Sequence, residues 1–167
     1  MNRADPARSN PGAGETMTFL SAPSEPVQRF RLELAPVFHG PPLHRHPAAT
    51  EFFAVVAGTL AVCVKRRWRT LTAGEDVEIP PGTIHTYANR SGAAVVVDVG
   101  IEPGREMRSF FEALYDLADD GALTPTGGLR LRQAARLFLR YPGAMTVVGA
   151  PQILQRVLWR LLAGRPE

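Results

Sequence analysis

The stretch His44-Arg45-His46-Pro47-Ala48-Ala49-Thr50-Glu51, with the apolar run that follows it as far as Gly58, decides how this chain is read. Side chains alternate faces along a strand, so His44 and His46 point the same way and can hold one ion from one strand. Four residues, Pro47 among them, separate the pair from Glu51, and a bend there lets the next strand bring a carboxylate beside the imidazoles. Phe52-Phe53-Ala54-Val55-Val56-Ala57 has strand length, and Phe53 and Val55 share the parity of Glu51, so they are expected to face inward.

A second segment completes the set. A turn at Gly74 leads to a short Val77-Glu78-Ile79 strand, and Pro80-Pro81-Gly82 makes a tight corner before His85-Thr86-Tyr87-Ala88-Asn89. A histidine just after a fixed corner is held rigidly, as a ligand must be. Three imidazoles and one carboxylate suit iron, manganese, nickel, copper or zinc better than calcium or magnesium. Tyr87 shares the parity of His85 and offers a hydroxyl for substrate contact. Asn89, in a turn, is expected to hold backbone, and His39 is expected at the surface, outside the ligand set.

These residues resemble the cupin family. Its first motif, G-x5-H-x-H-x(3,4)-E-x6-G, is met by His44, His46, Glu51 and Gly58; Phe38 stands where the leading glycine is expected, and Gly40 follows two residues later. The second, G-x5-P-x-G-x2-H-x3-N, is met at every position by Gly74, Pro80, Gly82, His85 and Asn89. The resemblance covers about residues 16–102. It implies an all-β core, a jelly-roll β-barrel binding one divalent transition metal through His44, His46, Glu51 and His85, followed by a C-terminal α-helical extension. Resemblance to quercetin-dioxygenase-like cupins implies a metal-dependent oxidoreductase acting on a small organic molecule, with Glu51 as base; Tyr87, from its parity with His85, is the second catalytic candidate. Two other classes stay open: an isomerase or cyclase using the ion as a Lewis acid, and a non-enzymatic small-molecule-binding cupin.

The rest of the chain sets the frame. Its 167 residues, 45% hydrophobic, make one domain or one domain with an appendage, and the 15 glycines and 15 prolines suit short strands joined by tight turns. The single cysteine, Cys63, excludes an intrachain disulfide and is expected to pack in a strand. The positive charge comes from arginines spread along the chain, and only Lys65-Arg66-Arg67-Trp68-Arg69 clusters, at an expected hairpin turn. No motif supports nucleic-acid binding, no run reaches transmembrane length and no signal-like apolar segment opens the chain, so a cytoplasmic location with no membrane partner is expected.

Residues 1–14 read as disordered and 15–102 as the barrel, with Gln28–Leu34 alternating cleanly. After Pro103-Gly104 the period becomes helical through 105–167, with apolar faces on Met107, Phe110, Phe111 and Leu114, then on Leu131, Ala134, Ala135, Leu137 and Phe138. A third helix is expected from Pro151, with Ile153, Leu154, Val157, Leu158, Leu161 and Leu162 on one face. The barrel is expected to close its own core, with the tail covering its outside or the interface of a homodimer rather than forming a lid.

Overall fold

In Gln28–Leu34 (β3) buried Phe30, Leu32 and Leu34 alternate with the more exposed Arg29, Arg31 and Glu33, the period-2 signature of a strand with one wet face. The computed structural model, which describes residues 5–149 and 152–163, builds two antiparallel sheets around strands of this kind. In chain order the others are Arg8–Asn10 (β1), Glu15–Phe19 (β2), His44–Arg45 (β4), Thr50–Ala57 (β5), Thr59–Val64 (β6), Arg67–Thr72 (β7), Asp76–Ile79 (β8), His85–Ala88 (β9), Val95–Glu102 (β10) and Thr146–Val147 (β11). The first sheet runs β1-β2-β3-β10-β5-β8 and the second β11-β4-β9-β6-β7. Their facing sides share one apolar core, the jelly-roll arrangement.

Turn chemistry fixes the hairpins. Lys65 and Arg66 join β6 to β7 with φ of 51° and 65°, the left-handed pair that a two-residue hairpin loop requires. Thus the basic cluster is a turn and an exposed edge strand, where Trp68 stacks beneath Arg90 at 3.5 Å. Gly40 has φ of 77°, and a Cβ there would lie 1.7 Å from the Tyr87 carbonyl oxygen, so only glycine can cross β9 at this point. Gly82, with φ of 73°, donates its N–H to the His46 carbonyl at 2.8 Å and ties the second motif to the first.

Three α-helices follow: Arg105–Asp119 (α1), Leu131–Arg140 (α2) and Gln152–Ala163 (α3). They change two expectations. Met107, Phe110, Tyr115, Leu137 and Ala144 belong to the same buried cluster as the barrel residues, so the barrel does not close its core alone. The tail also contributes β11, which pairs with β4 and extends the second sheet. Two paired residues are too few to register as an alternating pattern, which is why this strand is invisible in the sequence.

Of the 1–14 segment expected to be disordered, residues 8–10 instead form β1, paired with β2 and clamped to α1 by Arg8, which ion-pairs with Asp116 at 2.9 Å and with Asp119. Leu131, assigned to a buried face, is 59% exposed at the first position of α2, while Ala135 and Leu137 of that face are buried. Helix α3 packs on α2 through stacked Phe138 and Trp159, and leaves Val157, Leu158 and Leu161 exposed. Pro151 and the side chains of Ile153 and Leu154 lie outside the described residues. No described helix is long and apolar enough to cross a membrane.

Candidate metal centre

Both sheets contribute to the candidate centre. His44 on β4 sits directly opposite His85 on β9 in the second sheet, His46 follows β4 on the same face, and Glu51 reaches across from β5 in the first. The bend expected at Pro47 is present and separates the two sheets' contributions. All four side chains are buried, and their ligand atoms lie within 4.8 Å of one another. This group could hold a metal ion.

Each imidazole is oriented by backbone. The Nδ1–H of His44 donates to Pro42 O at 2.9 Å, that of His85 to Thr83 O at 2.9 Å, and that of His46 to Ala144 O at 2.6 Å. A carbonyl only accepts, so Nδ1 carries a proton and each ring turns its Nε2 inward, the atom through which a metal-ligating histidine oriented in this way would bind. His85 Nε2 lies 2.7 Å from Glu51 Oε2. His46 Nε2 is 3.4 Å from the same oxygen, badly placed for a hydrogen bond, and is the one buried side-chain nitrogen or oxygen without such a partner among the described residues. An orphaned buried nitrogen costs roughly 1–3 kcal/mol, and an ion at this point would satisfy it.

Electrostatics agree with the ligand chemistry. Burial, reinforced by His85, lowers the His44 pKa to about 3, so this ring stays neutral. Burial also opposes a charge on His46, but Glu51 outweighs it and raises the pKa. For Glu51, burial is overridden by His46 and His85, which hold the carboxyl well below the usual carboxylate range. A permanently ionised carboxylate among imidazoles is a donor set for a divalent transition metal.

His44 and Glu51 also line a cavity of about 420 Å³, within the roughly 300–1,000 Å³ range of small-molecule sites. Phe53 faces this cavity as its parity requires, and Val55 is buried beside it in the core. Tyr87 lines it too, packed between Phe38 and Phe53, and burial first, then Glu15 and Glu51, push its phenol pKa well up. Asn89 does hold backbone: its amide donates to Leu34, Ala35 and Ala93 carbonyls at 3.2, 2.9 and 2.7 Å. His39 is exposed and apart from the cluster, and Cys63 is buried in β6.

Three residues of the centre's surroundings have no sequence signature. Ala144 orients His46 through a main-chain oxygen, which any residue could supply. Glu15 lines the cavity and accepts a hydrogen bond from the Tyr115 hydroxyl, yet in sequence it is one more polar residue before a strand. Arg108 sits on the apolar side of α1 with its side chain 6% exposed, donating to Ser21 O at 2.9 Å and Gln28 Oε1 at 3.2 Å, and pins the tail to the barrel. A helical apolar stripe gave no reason to place an arginine there.

Comparison with known proteins agrees with this architecture. Residues 30–100 match the family described as "Cupin domain" (Cupin_2). A germin-like protein, Germin-like protein 1-1 of Oryza sativa subsp. japonica, is 36% identical over 102 residues, covering 58% of this chain and 47% of that protein. The chain thus spans about half the length of the curated relative it matches. Among solved structures, an RmlC-like cupin from Shewanella frigidimarina superposes with a TM-score of 0.54 at 21% identity, over 60% of this chain and 86% of that one. A structure titled sugar phosphate isomerase from a cupin superfamily, from Silicibacter pomeroyi, gives 0.51 at 22% identity, over 59% and 66%. Likeness at such identities concerns the fold alone. Residues 30–100 therefore form a cupin domain.

Proposed function

We propose that this chain is a mononuclear metal-dependent oxidoreductase, dioxygenase-like, acting on a small and largely apolar organic molecule. The observation that carries the reading is the convergence of three backbone-oriented imidazoles and one ionised carboxylate beside an apolar cavity of about 420 Å³. A divalent ion of iron, manganese, nickel, copper or zinc held by His44, His46, Glu51 and His85 would supply Lewis acidity and, if redox-active, a route for electrons to dioxygen. Glu51 is the carboxylate that lines the cavity from within the ligand group, and it is assigned the role of base. Tyr87, held as a neutral phenol, can donate a hydrogen bond to a ligand oxygen in the cavity. Phe30, Phe53 and Phe110 line that cavity, exclude water and favour a ring-bearing substrate.

The test is metal analysis of the purified protein followed by dioxygen uptake with a panel of ring-bearing organic compounds. About one transition metal per chain and substrate-dependent uptake are expected. Glu51→Gln should keep part of the metal, because a glutamine carbonyl can still ligate, while activity drops at least about a hundredfold, the lower end of the usual range for a general base. Unchanged turnover would remove Glu51 from the chemistry.

Tyr87 favours a second reading. A neutral phenol and an ionised carboxylate in one cavity form a proton donor and acceptor, the equipment of a metal-dependent isomerase or cyclase that needs no dioxygen. Zinc content with turnover but no oxygen uptake would select it. Tight ligand binding with no turnover would leave the non-enzymatic binding cupin.

A further inference from the structure

The cavity beside the candidate metal centre has a second polar end. Glu15 on β2 lies opposite Leu34, the last residue of β3, whereas Glu51 lies opposite Ile101 of β10, which in turn faces Gln28, the first residue of β3. Both carboxyl groups line the same cavity together with Tyr87, and the rest of its wall is mostly apolar, with Phe30, Phe53, Val99, Met107, Phe110 and Leu114. The Tyr115 hydroxyl donates to Glu15 Oε1, and Tyr115 is itself 1% exposed, so this carboxyl is held in place. A carboxyl group offers acceptor sites on both oxygens, and Tyr115 is the only partner of the Glu15 side chain among the described residues.

We infer that Glu15, positioned by Tyr115, is a specificity-determining residue that accepts a hydrogen bond from the end of the ligand remote from the metal. The ligand class is then an elongated, ring-bearing apolar molecule with an oxygen donor at one end and a hydroxyl group at the other. This inference rests on the proposed function for the first end and on Glu15 for the second. An anionic group at the Glu15 end is disfavoured, because a second carboxylate would meet the first inside an apolar wall. Phosphorylated sugars, polar all round and anionic at one end, do not fit this lining.

The test uses two matched pairs of probes that differ only at the remote end. They are 2-naphthoate with 6-hydroxy-2-naphthoate, and biphenyl-4-carboxylate with 4′-hydroxybiphenyl-4-carboxylate, so that two spacer lengths are sampled. Binding is measured by calorimetry on the full chain, zinc-loaded and metal-free. In the zinc-loaded protein at least one hydroxylated probe should bind about tenfold more tightly than its parent, the scale of one hydrogen bond to a charged or polar buried group. Glu15→Met, unbranched and of similar length, should bring that ratio to about one while leaving the affinity of the parent probe within about twofold. A merely structural role would weaken both members of the pair alike. Tyr115→Phe, which frees the Glu15 carboxyl, should reduce the ratio part of the way.

Two failures are distinguishable. Equal binding of the probes to the zinc-loaded and metal-free forms, with the hydroxyl preference intact, would overturn the metal-anchored reading and leave Glu15 in its role. Metal-dependent binding with no preference in either pair, or no binding of any probe to the zinc-loaded protein, would overturn the inference about Glu15 and the ligand class.

Discussion

The four candidate ligands and the tail that surrounds them are built by different means. His44, His46, Glu51 and His85 come from within 42 residues, and their positions follow from strand parity, one bend and one corner. The tail reaches the same place from about a hundred residues away: Ala144 accepts the His46 Nδ1–H, and β11 lies against the strand that carries His44. Chemical identity matters absolutely in the first region and hardly at all in the second, where a carbonyl and a short strand suffice. The candidate metal centre thus takes its side chains from one region and part of their orientation from another.

The largest effect expected is on the ligands. His46→Ala removes a donor, and its loss should lower metal affinity by more than the roughly 10–100-fold typical of outer partners. His44→Ala and His85→Ala should behave alike in equilibrium dialysis against zinc. Stoichiometric metal in a His44/His46 double variant would dissolve the contrast between the regions, because the motif residues would then not be the ligands.

Removing the tail comes next. Ending the chain after Pro103 takes away Ala144, β11 and the buried Met107, Phe110 and Tyr115, which share the barrel's core. Much of the product should aggregate through the uncovered apolar wall, and the soluble fraction should bind zinc about 10–100-fold more weakly, the scale of lost outer-shell orientation. A truncated protein with full metal affinity would show that the histidines are oriented without the tail.

A smaller effect isolates the strand contact. The Val148 N–H donates to Leu43 O at 2.8 Å, next to His44. Val148→Pro deletes that donor and leaves every ligand in place. Zinc affinity should fall by roughly three- to tenfold, at or below the low end of outer-partner effects, with little change in the metal's ligand spectrum on cobalt substitution. A loss as large as that of His46→Ala would mean that β11 determines whether the site forms, rather than how well it is aimed.

Legibility in the sequence follows the same division. The jelly-roll strands, the inward parity of Phe53 and Val55, the corner at Gly82 and the backbone role of Asn89 were all readable, because each depends on neighbours a few residues away. β1 and β11 were not, since strands of three and two residues carry no alternation. The tail's helical periods were legible, but not their destination: an apolar stripe shows that a face is buried and not which surface covers it. Arg108 and Glu15 escaped because a polar residue on an otherwise apolar surface looks like noise until its partners, here Ser21, Gln28 and Tyr115, are seen.

The smallest expected effect concerns Glu15 and separates a binding role from a stabilising one. Burial raises the Glu15 carboxyl above its ordinary value of 4.5, and the hydrogen bond from Tyr115 offsets only part of that. With the folded pKa above the unfolded one, the native state holds a proton that the unfolded chain has already released as pH climbs through the interval between them. The stability tied to this group is therefore complete below pH 4.5 and declines as pH rises toward the folded value. Glutamine is neutral throughout and keeps a carbonyl oxygen for Tyr115, so Glu15→Gln removes the decline without removing the contact. In metal-free protein the variant should melt with the wild type near pH 4 and above it at pH 8, the direction that the raised carboxyl dictates. A carboxyl kept at a cost to stability is the pattern of a residue retained to meet a ligand. A variant that melts below the wild type at pH 8 would show instead that the ionised carboxyl stabilises the fold, and would move Glu15 from the ligand to the scaffold.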